Sequence, residues 1–184
     1  MAVVDSYSET NGDTDLYAEG STYGRGQSFT GDGSTISSCK FYIKRRAGGG
    51  TGNLYAKVYG HTGTFGSSST GTGATLATSG AVDVTTVSNA AYNLVEFTFS
   101  GADQITLTNG TKYVIFLNTQ GVSGFTVTVR ADTSSPTHAG NTCEIYNGSW
   151  YAGGGDLCFY VYGSGAAGTP ITIFRHHYVN QGIQ

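Results

Sequence analysis

The sequence predicts an all-β chain, an antiparallel β-sandwich of about ten short strands with a C-terminal extension. Three observations lead there. Apolar and polar residues alternate at every second position in five separate segments. Glycine, serine and threonine, the residues of turns and exposed edges, fill 73 of the 184 positions. No segment carries a sustained helical period or an apolar run near the roughly 18 residues of a membrane span.

The clearest strand is Cys39 to Lys44, where Cys39, Phe41 and Ile43 share one face and Lys40, Tyr42 and Lys44 the other. Leu54, Ala56 and Val58 alternate in the same way with Tyr55, Lys57 and Tyr59. Val95, Phe97 and Phe99 oppose Leu94, Glu96 and Thr98; Phe125, Val127 and Val129 oppose Thr126, Thr128 and Arg130; Leu157, Phe159 and Val161 oppose Cys158, Tyr160 and Tyr162. Tyr113 to Leu117 is apolar on both faces, which predicts a central strand covered on both sides. Weaker strand signals lie at Val3 to Ser8, Gln27 to Thr30, Thr75 to Val87 and Thr142 to Tyr146. Asn109-Gly110 and Asn147-Gly148 predict hairpins, because both central residues of a type I′ turn need positive φ. Gly60 to Gly73, rich in glycine, serine and threonine with Phe65 as its one large apolar side chain, predicts an exposed loop.

Domain organisation follows from composition. Residues 1–163 form one sandwich, 164–170 (Ser-Gly-Ala-Ala-Gly-Thr-Pro) a linker, and 171–184 an arm too short to fold alone. In that arm Ile171, Ile173 and Phe174 precede Arg175, His176, His177 and Tyr178, and their apolar groups need shelter on the sandwich or on a neighbouring chain.

Charged residues make up 11% of the chain and the net charge is −3. The modest charge opposes collapse only weakly, and 13 tyrosines add buriable area, so a packed core is expected rather than disorder. The start, Met1-Ala2-Val3-Val4-Asp5, lacks the basic and apolar regions of a signal peptide. Three cysteines, Cys39, Cys143 and Cys158, have the wrong parity for a disulfide framework and read as thiols, with a later Cys143–Cys158 bond left open. A surface-like composition without a secretion signal fits a virion protein made in host cytoplasm. The alternatives are an extracellular or cell-surface protein whose signal peptide has been removed, and an ordinary intracellular β domain.

Constellations for catalysis are scarce, and the reading is of a protein that is not an enzyme. No serine sits in a Gly-x-Ser-x-Gly elbow, and the four histidines include no His-x-His or His-x-x-x-His pair. Glu9, Asn11, Asp13 and Asp15 cluster around Gly12 and read first as a solvated acidic loop, with calcium ligation as the alternative because the full EF-hand spacing is missing; no other cofactor is implied. Lys40, Lys44, Arg45, Arg46 and Lys57 gather near Tyr42, Tyr55 and Tyr59. Rings interleaved with cations suit a glycan or a protein partner, whereas a pI of about 5.7 leaves little counterion release for nucleic acid. Trp150 and Tyr151, beside Gly153-Gly154-Gly155, could stack a sugar, but the single tryptophan of a sandwich reads first as a lid over the end of the core.

The cadence Gln27-Ser28-Phe29, Phe41-Tyr42-Ile43-Lys44, Gly52-Asn53-Leu54-Tyr55-Ala56, Asn109-Gly110-Thr111-Lys112-Tyr113 and Phe159-Tyr160-Val161-Tyr162-Gly163 resembles β-sandwich appendage domains of bacteriophage virion proteins and bacterial surface proteins. The resemblance spans Gln27 to Gly163, implies a jelly-roll-like sandwich, and transfers no active site. It supports the expectation of a capsid decoration, head-fibre or tail component. Such a protein would join other virion subunits or copies of itself through the arm, without membrane insertion or nucleic acid. The alternative is a carbohydrate-binding or lectin-like surface domain that uses Tyr42, Tyr55, Tyr59, Trp150 and Tyr151 on a cell-surface glycan, with calcium as a stabiliser.

Overall fold

The computed structural model describes residues 1–46, 50–123 and 127–165. Among them fourteen strands run in chain order: β1 (Ala2–Tyr7), β2 (Thr14–Ala18), β3 (Thr22–Thr30), β4 (Thr35–Arg45), β5 (Asn53–Thr62), β6 (Thr70–Thr78), β7 (Val82–Asp83), β8 (Asn93–Thr98), β9 (Lys112–Asn118), β10 (Val127–Asp132), β11 (Thr142–Tyr146), β12 (Ser149–Ala152), β13 (Asp156–Leu157) and β14 (Phe159–Ser164). All pair antiparallel, in two packed sheets, so the chain is a β-sandwich.

The first sheet has the order β1-β14-β4-β10-β13, with β2 on β10 and β8 on β4. The second has the order β12-β11-β3-β9-β5-β6, with β7 on β5. The expected alternation positions their inner faces. Phe41 and Ile43 of β4, Phe97 of β8, Val127 and Val129 of β10, and Phe159 and Val161 of β14 meet Phe29 of β3, Leu54, Ala56 and Val58 of β5, and Ile115 and Leu117 of β9. All of these are fully buried. The expected central strand is β9, which is flanked by β3 and β5 and buried from Tyr113 to Asn118. Its alternate residues Val114 and Phe116 face away from the main core into a second, smaller cluster with Cys143, roofed by Tyr59, Ile145 and Trp150.

Three local expectations are corrected. The acidic segment is not only loop: Thr14–Ala18 is β2, paired with β10. Its signal was faint because only Leu16 and Ala18 turn inward, a shorter alternation than elsewhere. The Gly60–Gly73 segment is largely strand and turn, with β5 running to Thr62 and β6 starting at Thr70. Gly66 passes under the Ala139 carbonyl and Gly71 under the Trp150 indole, close approaches that leave no room for a Cβ. Asn109-Gly110 makes no hairpin; Thr106 before it bridges Thr35 of the first sheet, whereas β9 after it belongs to the second. Asn147-Gly148 does make one, with φ of 48° and 79° at the two residues and Tyr146 opposite Ser149.

The three cysteines are free and buried. Cys39 lies in the main core and Cys143 in the cluster outside the second sheet. Cys158 is on the outer face of the first sheet beside Gly12 and Arg130, and burial pushes its thiol up to about 12. Cys143 and Cys158 therefore lie on opposite outer faces, which rules out a bond between them in this fold.

The sandwich has two distinguishable poles. Residues 31–34 join β3 to β4, and Ser164 pairs with Thr35, so the chain leaves β14 at the pole where β3 ends. The start of β3 lies at the opposite, distal pole, roughly 26 Å away at about 3.3 Å per residue along that strand. There the 19–22 turn, the 119–122 turn and the β11–β12 hairpin converge: the Thr119 amide donates to the Tyr23 carbonyl and the Asn147 amide to the Ser21 carbonyl.

Candidate functional site

The distal β11–β12 hairpin carries the most exposed aromatic cluster among the described residues. Its two-residue turn sets the register, Glu144 opposite Tyr151 and Ile145 opposite Trp150. Side chains alternate, so Glu144, Tyr146 and Tyr151 share one face and Cys143, Ile145 and Trp150 the other. Tyr146 is 45% and Tyr151 50% exposed. Their rings meet edge-on, with centroids 6.3 Å apart and planes at 74°. With Glu144 they line an open cavity of about 330 Å³. Arg25 of β3 pairs with Glu144, and its Nε donates to the Tyr17 carbonyl over 2.9 Å. Burial lowers the Arg25 pKa, and the Glu144 carboxylate acts against that shift.

This geometry divides the residues expected to form one binding face. Trp150 and Tyr151 are sequence neighbours on a strand and point to opposite sides, so they make no joint platform. Trp150 packs against Tyr59 and Phe116, with centroids 5.2 Å and 5.1 Å away. It roofs the outer cluster rather than the end of the main core. Tyr55 and Tyr59 lie on the outer face of the second sheet, while Tyr42 lies on the outer face of the first. The partner of Tyr151 is Tyr146, which the sequence reading missed. Counting outward from Asn147-Gly148 with strand parity would have found it.

On the outer face of the first sheet the cations sit over the tyrosines themselves. Lys44 Nζ is 4.6 Å from the centre of the Tyr92 ring and Lys40 Nζ 5.4 Å from that of Tyr162. Tyr42 packs on Tyr92 at 5.3 Å, and Tyr160 and Tyr162 lie parallel at 6.1 Å. Arg46 covers Tyr17, and Arg45 reaches the Val87 carbonyl. Lys57 belongs to the other sheet, so the basic residues do not merge into one patch.

The calcium candidates point their oxygens at separate partners. Glu9 accepts from the Tyr160 hydroxyl at 2.5 Å, and Asp15 pairs with Arg130 at 2.6 Å. Asp13 accepts the Thr133 and Ser134 amides at 3.0 Å and 3.2 Å, and hydrogen bonds from Ser134, Thr133 and Thr14 hold its carboxyl at about 2. Asn11 is exposed. Among the described residues no group of three or more acidic, histidine or cysteine side chains is placed to hold a metal ion.

A buried polar network joins β1, β3, β13 and the 133–141 loop, and sequence reasoning gave no sign of it. The Gly140 amide donates to His138 Nδ1 at 3.0 Å, which places the ring proton on Nε2, where it is donated to Asp5 Oδ1 at 2.9 Å. The other Asp5 oxygen accepts the Thr30 amide at 3.1 Å. Asp156 accepts from Gln27 and from the His138 amide. His138 Nε2 thus holds the first strand, while Nδ1 is engaged by the Gly140 amide and by Gln27 Nε2 at 3.2 Å.

The arm residues Ile171, Ile173, Phe174, Arg175, His176, His177 and Tyr178 lie outside the described residues, as do Phe125 and Thr126. Comparison of the chain with protein-family models, curated proteins and solved structures finds no match to any of them.

Proposed function

We propose that the chain is a non-enzymatic structural component of a virion, a capsid decoration, head-fibre or tail protein, held by its C-terminal segment and displaying the sandwich outward. One observation carries the reading: the chain leaves β14 at one pole while exposed turns and the Tyr146–Tyr151 pair gather at the other. A body anchored beyond Ser164 would present that far pole to its surroundings. The same polarity serves a carbohydrate-binding role, because the presented pole carries the exposed tyrosines.

Truncation after Gly168 tests the anchoring. The truncated chain is expected to melt at the same temperature as the full chain but to be absent from particles assembled in its presence. Incorporation at unchanged occupancy refutes the proposal.

A further inference from the structure

We infer that Glu144, Tyr146 and Tyr151 form a binding site for a neutral pyranose sugar at the distal pole. This deepens the carbohydrate-binding reading of that pole and rests on it. A pyranose has a face of C–H groups and a rim of hydroxyls. The first packs on an aromatic ring without losing hydrogen bonds to water, and the second needs acceptors fixed in place. The hairpin supplies both. Two large rings stand nearly perpendicular, making a corner in which one ring underlies the sugar face while the other closes its edge. Glu144, on the same face, is a carboxylate that accepts from sugar hydroxyls, and the cavity of about 330 Å³ suits one or two sugar units.

The corner is organised before any ligand arrives. The hairpin turn is fixed by two positive-φ residues and tied to the body by the Asn147 amide on the Ser21 carbonyl. Arg25 holds Glu144 from below. A tyrosine loses little conformational freedom when it binds, so little ordering cost remains. Charge sets the class of sugar: a carboxylate lines the cavity and the adjacent cation is already paired with it. Uronic or sialic acids would bring a second carboxylate to Glu144 with Arg25 already engaged, whereas neutral hydroxyls meet an acceptor.

The test uses the full chain, with methyl glycosides of glucose, galactose, mannose and N-acetylglucosamine as neutral probes and of glucuronic and sialic acid as acidic ones. Binding is read by amide shift changes in NMR spectra. The expected result is saturable binding of at least one neutral glycoside near the millimolar range, with shifts centred on residues 144–151, and none of the acidic probes. Tyr146→Ala and Tyr151→Ala should each weaken it about tenfold or more, the loss of one good aromatic contact, with an unchanged melting temperature. Trp150→Phe, on the opposite face, should leave affinity within about twofold. Glu144→Gln should weaken neutral binding severalfold and relax the exclusion of glucuronide. Absence of shifts in 144–151 with every neutral probe at tens of millimolar, equal binding of acidic probes, or binding that survives both tyrosine substitutions would overturn the site. Shifts produced there only by an unrelated peptide would assign the corner to a protein partner instead and refute the sugar. Particle incorporation is a separate measurement, so loss of the sugar site leaves the anchoring proposal standing or falling on its own.

Discussion

The side-chain amide of Gln27 is fixed in one orientation by Asp156. Its nitrogen donates to Asp156 Oδ1 over 3.0 Å while its oxygen accepts the Leu157 amide over 2.9 Å, and the second Asp156 oxygen accepts the His138 amide over 2.9 Å. Two opposing effects therefore meet at Asp156. Burial raises its pKa, so the stability linked to this group is fully present below the ordinary carboxylate range and is lost as pH rises through the raised value. On that ground alone a neutral replacement would stabilise the fold at pH 7. The hydrogen bonds argue the other way.

In Asp156→Asn one amide N–H₂ must face either Gln27 Nε2 or the His138 amide, donor against donor. Flipping Gln27 only moves the conflict to the Leu157 amide. An unmatched buried donor costs about 1–3 kcal/mol, as much as a modest charge-burial penalty returns or more. Asp156→Asn is therefore expected to lose about 1–3 kcal/mol in urea denaturation at pH 7. A variant more stable than the parent would show that charge burial, not donor matching, governs this site.

The layered β architecture was legible because its inner faces are written in a period of two: Cys39, Phe41 and Ile43 announce β4, and the unbroken apolar run from Tyr113 announces β9. The candidate site was only half legible. Tyr151 drew notice as an exposed aromatic candidate, yet its neighbour Trp150 was paired with it although adjacent strand residues face opposite ways. Tyr146 is unremarkable in sequence and becomes its partner only through the register of the hairpin. The Asp5–His138–Gln27–Asp156 network was invisible, since its members are separated by up to 151 positions and come together only when four elements pack. Asn109-Gly110 misled for a related reason: a positive-φ turn marks a reversal of the chain without saying which sheet receives it.

The outer cluster supplies a second prediction. Trp150 is the single tryptophan, so intrinsic fluorescence reports on its surroundings alone. Its indole lies where a Cβ on Gly71 would have to be. Gly71→Ala should push the ring off β6, red-shift its emission as the indole meets water, and cost about 1–3 kcal/mol as overpacking does. Trp150→Ala should cost about 3 kcal/mol, the bottom of the range for a large aromatic because the ring is only partly buried. An unshifted emission maximum in Gly71→Ala would mean that the indole does not rest on that glycine.

Acid should weaken the sandwich at the 133–135 corner first. Asp13 accepts the amides of Thr133 and Ser134, and hydrogen bonds from Ser134, Thr133 and Thr14 hold its pKa at about 2. Asp132, which accepts from the Tyr7 hydroxyl at 2.6 Å, and Glu9, which accepts from Tyr160, are shifted down as well. A carboxyl with a depressed folded-state pKa contributes stability that is present above its unfolded value near 4 and is lost as pH falls through the folded one. Asp156 shifts the opposite way and offsets part of this loss. Asp15, Asp32 and Asp83 are lowered too, so with six carboxyls against one the melting temperature should fall between pH 5 and pH 2, steepest below pH 4. Asp13→Ala should flatten that fall and speed hydrogen exchange at the Thr133 amide already at pH 6, where the parent still holds it, while the Ser134 amide stays held by Asp132 Oδ1 at 3.1 Å. A parent melting temperature that stays level or rises down to pH 2 would show that these carboxylates are not held by the bonds described.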